Sequence, residues 1–258
     1  MLVQAIPLFQ DAHLLRRSML EALSDYTFLV QGYLYKGYSD GILSGCELTT
    51  TKDTIVLNEG IVLFAGQLLL IKEPMTVSYY PTNTTTVMKL CLSGEMRDAN
   101  FIYREAEVKL TQQKEIQAGE MELCRFKLQE GARLRYHYQS FEDRDTEFDT
   151  LNRIHVPYAA VGGSTLAPDI VKSFARELLE MDEITELDSM LAVQILSQER
   201  SISREALKAY ILCKNGAEPG DASNLGIYKA LSGILQSGSQ KSNGATVQEK
   251  REWRLMVE

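Results

Sequence analysis

The sequence predicts an α+β fold with an N-terminal helix, a β-sandwich-like middle domain and a C-terminal helical bundle. Three observations carry this. One helix-period stretch ends at Gly37. From Tyr38 to about residue 140, short apolar runs alternate with Gly-based turns, the texture of a sandwich or small barrel. Beyond Pro168 the apolar spacing returns to three and four, in stretches bounded by helix start and stop residues. The 258 residues are 45% hydrophobic and 24% charged, which suits a packed globular chain and excludes disordered, collagenous and disulfide-dense classes.

Residues 1–37 read as an extended lead-in followed by a helix. Ser18 and Glu21 match a capping box, so the helix is placed at about 19–36, with Leu20, Leu23, Phe28 and Leu34 as its buried stripe. Gly37 ends it.

Residues 38–140 form the β domain. Asp40-Gly41 and Ser44-Gly45 are turn signals, and strands follow at 46–50, 54–57, 61–64, 67–71, 75–79, 87–92, 108–113 and 121–129. Residues 141–167 read as a linker, acidic over 142–149 and Gly-rich at Gly162-Gly163.

Residues 168–237 form the bundle. Pro168 opens a helix behind the weak cap Ala167, with Ile170, Phe174 and Leu178 on one face. A second helix at about 184–198 aligns Leu187, Leu191 and Ile195. Ser203 caps a third, which Asn215-Gly216 ends, and Asp221 caps a fourth, which Gly238 ends. Residues 238–258 read as a flexible polar tail.

The chemistry-bearing patterns are few. There is no GxxxxGK[ST] phosphate loop, no GxSxG elbow and no HExxH. His13, His137 and His155 stand apart, and the four cysteines form no CxxC. Asp145, Glu147 and Asp149 alternate as calcium ligands can, but the turn glycine and distal Glu of an EF-hand loop are missing. No cofactor, metal or catalytic residue is therefore expected. The net charge of -8 disfavours nucleic acid and anionic membranes as partners. The greasiest run, 61–71, is shorter than the ~18 apolar residues a membrane span needs.

What remains is aromatic and apolar. Tyr33, Tyr35, Tyr38, Phe9 and Trp253 are the candidate interaction residues, since Tyr and Trp serve as interface anchors. The further tyrosines Tyr79, Tyr80, Tyr136, Tyr138 and Tyr158 leave open a sugar-stacking platform on the β domain, and paired carboxylates in a cleft leave open a glycan hydrolase.

Two stretches resemble phage proteins. Phe9-Gln10-Asp11-Ala12-His13-Leu14-Leu15, then Gly41-Ile42-Leu43-Ser44-Gly45-Cys46-Glu47-Leu48, then Asn58-Glu59-Gly60-Ile61 through Leu68 are similar to the "FxxGxxL", "GIxSGLEV" and "xxGIAxxxGxxY" pattern of phage tail and fibre-attachment proteins. Here Asp-Ala replaces the first Gly, and Cys46 stands where Leu is usual. Phe126–Arg135 and Asn152–Ala160 are similar to a phage-associated family sometimes labelled a helicase, although no phosphate loop is present. Over roughly residues 1–170 the chain thus resembles prophage or contractile-injection-system baseplate and tail structural proteins. That resemblance implies a non-catalytic subunit assembled with other tail or baseplate subunits or with its own copies. It implies a bacterial cytoplasm during assembly and a virion or tail-like particle afterwards.

Overall fold

The computed structural model describes residues 6–11 and 14–252, with side chains to residue 238. The fold is α+β. Helix α1 (Arg17–Leu34) comes first. Eleven strands follow: β1 (Gly41–Gly45), β2 (Leu48–Thr50), β3 (Thr54–Leu57), β4 (Gly60–Phe64), β5 (Gln67–Ile71), β6 (Met75–Ser78), β7 (Thr86–Leu92), β8 (Met96–Arg97), β9 (Ile102–Tyr103), β10 (Ala106–Thr111) and β11 (Glu120–Phe126). A 3-10 turn at Glu142–Asp145 precedes the helices α2 (Pro168–Leu179), α3 (Glu186–Leu196), α4 (Arg204–Asn215) and α5 (Asn224–Glu252).

Where the sequence predicts a sandwich, the strands form three three-stranded antiparallel sheets, ordered β1-β4-β5, β2-β3-β6 and β10-β7-β11, and a β8-β9 ribbon. β3 and β5 have the predicted bounds; the other predicted strands are shifted by a few residues. β1 occupies the stretch whose glycines read as turns. Its first glycine is needed for a close approach. A Cβ on Gly41 would lie 2.6 Å from the Ala159 nitrogen, and its φ is +151°. Gly60 is equally constrained, 2.4 Å from the Cys46 nitrogen. The central strand β7 and its neighbour β11 are heavily buried, with Val87, Met88 and Leu90 of β7 sealed. Lys89 is buried among them and satisfied by Glu120 at 2.8 Å and the Glu115 carbonyl.

The segment 141–167 is not a solvated linker. Phe141, Leu151, Ile154, Val156 and Leu166 are fully buried and belong to the same core as the strands and helices. Its backbone completes the sheet edges. Arg125 and Asn152 exchange both hydrogen bonds, at 2.9 and 2.7 Å. Ile42 donates to the Pro157 carbonyl, and Ala159 donates to the Ile42 carbonyl, each at 2.9 Å. The polar composition misled because its charges pair with residues that flank the segment. Arg135 forks onto Asp143 at 2.5 and 2.6 Å, Arg144 reaches Asp169 at 2.7 Å, and Lys127 meets Glu147 at 2.9 Å.

The helices follow their caps. Ala167 supplies no side-chain cap, yet Pro168 begins α2, whose Ile170, Phe174 and Leu178 are buried. Thr185 and Asp188 form a capping box at the start of α3. Leu191 and Ile195 are buried there, while Leu187 stays partly exposed, at 38%. Ser203 caps α4 and Gly216 ends it in the left-handed region. At the start of α5, Ser223 accepts from the Gly226 N–H, and Asp221 accepts from Ser223. The side-chain amide of Asn224 donates to the carbonyls of Val156 and Thr165, at 2.9 and 3.1 Å, tying the bundle to 141–167. Gly238 does not end α5; the helix continues to Glu252, through the stretch that reads as a tail.

Candidate interaction surface

α1 is the exception to the rule that helices bury one face. Arg17 and Glu21 pair across one turn at 2.6 Å, and no proline interrupts the run. The expected Ser18 cap is not used. Ser18 lies inside the helix, and the N-cap is Arg16, without a side-chain bond. At the other end the Tyr35 N–H donates to Gln31, Lys36 to Tyr33 and Tyr38 to Tyr35, so the chain leaves α1 in a tight turn. Gly37, at φ +84°, supplies the left-handed residue there.

No residue of α1 is buried. Leu20, Leu23, Phe28 and Leu34, the expected core stripe, are all exposed. Met19, Leu23, Tyr26, Val30 and Tyr33 recur at alternating spacings of four and three, the seam of a packed helix pair. Leu20 and Leu34 widen it on one side and Leu29 on the other, while Glu21 and Asp25 lie opposite. Tyr33 is 74% exposed and Val30 36% exposed, and Met19 at the start of the seam is half-buried. The seam is therefore complete in sequence and uncovered in space.

The predicted anchors divide around this helix. Tyr33 stands on its exposed seam, and Phe9 is exposed in the segment before it. Tyr35 and Tyr38 are half-buried and instead pack edge-to-face on each other, 5.6 Å apart. Arg200 caps the Tyr35 ring at 5.8 Å, and Tyr38 bridges to Val161, so these two root the helix on the body. Trp253 lies outside the described residues, as does His13.

Two smaller apolar surfaces were missed by sequence reasoning. The outer face of α3 exposes Leu187, Met190 and Val193, and the β8-β9 ribbon exposes Phe101, Ile102 and Tyr103. For α3 the signal was present, since Leu187, Met190, Val193 and Leu196 continue the apolar pattern beyond one face.

The remaining tyrosines do not gather into a stacking platform. Tyr79 donates to the Thr51 carbonyl, Tyr138 to the Leu151 carbonyl and Tyr228 to the Phe141 carbonyl, each as a buried or half-buried strut. Burial pushes Tyr138 and Tyr158 up to about 12. A groove of about 330 Å³ beside α5 is lined by Glu142 and Asp145, where Glu142 accepts from the Gln236 side-chain amide at 2.6 Å. The groove of about 300 Å³ beside β11 holds Asp145 and Glu147, but Glu147 pairs with Lys127 and Asp145 accepts from Asn152.

The most buried acid, Asp188, is equally committed. It accepts from Tyr210 at 2.7 Å, Lys214 at 2.9 Å and the Thr185 backbone at 2.8 Å. Burial alone would raise its carboxyl; these donors outweigh burial and hold it at about 2. Burial also pushes the Cys46 thiol up to about 11, so it stays protonated. Among the described residues, no group of three or more His, Cys, Asp or Glu is placed to hold a metal ion. No helix among them is long and apolar enough to cross a membrane.

No family model matches the sequence, and no curated protein matches it. Among solved structures with a distant likeness, two are noted. One is a crystal structure of TssK, with a TM-score of 0.40 and 10% identity, covering 92% of this chain and 70% of that one. The other is a cryo-electron microscopy structure of the type VI secretion system TssK-TssF-TssG baseplate subcomplex, with a TM-score of 0.40 and 9% identity, covering 90% of this chain and 99% of that one. A TM-score of 0.40 lies below the level that marks a shared fold.

Proposed function

We propose that the chain is a non-catalytic structural subunit that works by protein–protein association, as a component of a phage-tail-like or baseplate-like particle. The observation that carries this is α1: a helix with a full apolar seam, rooted firmly at its C-terminal end and buried against nothing. Exposed apolar area costs about 25 cal/mol per Å² relative to burial, and a contiguous exposed patch of this kind marks an interaction site. The partners in this reading are neighbouring tail or baseplate subunits or further copies of the chain, assembled in a bacterial cytoplasm. The sequence motifs at 9–15, 41–48 and 58–68 support the particle class. The distant likeness to TssK adds no weight.

The test is Val30→Asp in the full chain. Because Val30 faces solvent, the variant should fold, with a thermal midpoint within a few degrees of the parent. It should fail to co-sediment with tail-like particles that retain the parent. A variant that folds and still enters particles at parental levels would refute the reading.

A further inference from the structure

On the reading that α1 is a docking arm, we propose that its occupant is a second copy of this chain: two copies exchange α1 helices, each seam lying on the outer face of the other copy's α3. Four observations point there.

First, the arm cannot close on its own body without rebuilding its root. Tyr35, Lys36 and Tyr38 all donate backbone hydrogen bonds within the turn that follows α1, and Ser39 and Gly162 then fasten the chain to Ala160 and Gly37. The exit direction of α1 is thereby fixed, which leaves its seam to another molecule.

Second, α3 offers a matching acceptor. Its inner residues Leu191 and Ile195 are buried, while Leu187, Met190 and Val193 face outward. Met190 is 71% exposed and Val193 63%. Methionine adapts to irregular neighbours and suits an acceptor face.

Third, the charges agree with one orientation. Exposed acids Asp182, Glu183 and Glu186 surround the start of α3, and Arg16 marks the start of α1. Laid parallel, the two helices bring Arg16 to that acidic end. The roots already obey this arrangement, since Arg200, just beyond α3, touches Tyr35, just beyond α1. A two-fold pair would bring both roots together, as exchanged elements do.

Fourth, the area is adequate, and reciprocal exchange doubles it. A stable interface buries about 800 Å² per partner. Each copy would contribute two faces, and Tyr26 and Tyr33 alone can each bury about 150–250 Å².

Light scattering on the full chain at micromolar concentration tests this. The expected mass is twice that of the chain. Val30→Asp on α1 and Met190→Asp on α3 should each return the single-chain mass with the parent's far-UV circular dichroism spectrum and a thermal midpoint within a few degrees of the parent, lowered by the lost association. Mixing the two variants should restore a two-chain species, because one of the two α1–α3 contacts then has both faces intact. A monomeric parent overturns the exchange. So does a Met190→Asp variant that stays paired, which would indicate α1 packing on α1, or a mixture that stays monomeric. A monomeric parent whose particle entry is still abolished by Val30→Asp would overturn the exchange alone and leave the association reading standing. Particle entry unaffected by Val30→Asp would overturn that reading instead.

Discussion

α1 and the segment 141–167 are opposites in composition and opposites again in space. α1 is rich in Leu, Tyr and Phe and buries none of them. The segment carries the acidic run 142–149 and a Gly-Gly pair, yet it buries Phe141, Leu151, Ile154, Val156 and Leu166 fully in the core and closes two sheet edges. Burial follows from having a partner within reach. The segment has strands on one side and helices on the other. α1 has only a root.

Four measurements would sharpen or break that contrast. The largest effect is expected at Phe141, which stacks on Tyr228 at 4.5 Å and packs on Phe174 at 5.6 Å. Phe141→Ala should cost about 3–5 kcal/mol in denaturant unfolding, through lost transfer energy and a cavity. A loss below about 1 kcal/mol would mean the segment is not core.

Next is Asn224→Ala. It leaves the Val156 and Thr165 carbonyls without their donor and should cost about 1–3 kcal/mol. Hydrogen exchange at the backbone bonds joining Tyr158 and Thr165 should quicken in the variant; unchanged protection would separate the staple from the segment's order.

Acid should then loosen the segment before the rest of its surface. The Arg135 fork holds the Asp143 carboxyl well below the usual carboxylate range, against a smaller opposing effect of burial. Because the folded value is depressed, the stability it brings is present above about pH 4 and is lost as pH falls below that. Partial exposure of the pair limits the effect to about 1 kcal/mol. Asp143→Asn should therefore lower the thermal midpoint at neutral pH and converge on the parent at strongly acid pH. A constant difference at all pH values would assign the loss to packing.

The smallest effect is expected at Phe28, which lies off the seam on α1 and is 71% exposed. Phe28→Ala should change stability by no more than about 0.5 kcal/mol. The same substitution at Phe141 and Phe28 thus reads the contrast directly, and equal losses would abolish it.

Much of the fold was legible. The strands Thr54–Leu57 and Gln67–Ile71 stand where alternation and turn glycines put them. Pro168, Ser203 and Gly216 mark helix ends as their chemistry requires. These are local effects, set within one turn of the residue concerned. Gly41 was misread because a glycine reports only that the backbone needs room. Here the room is for Pro157–Ala159, more than a hundred positions away in the chain. Of the candidate anchors, Tyr33 kept an exposed place on the arm, while Tyr35 and Tyr38 serve as its root. Periodicity identifies a seam; it does not say whether the seam is open.

The sequence by itself determined the α+β class and the periods of its elements, because each depends on near neighbours and on the spacing of side chains; it misplaced the apolar stripe of α1 by including Phe28. Only the tertiary structure decided that the acidic segment lies inside and the apolar helix outside. That decision rests on hydrogen-bond and packing partners far apart in the chain, such as Asn224 with Val156 and Arg125 with Asn152, whose meeting no local pattern encodes.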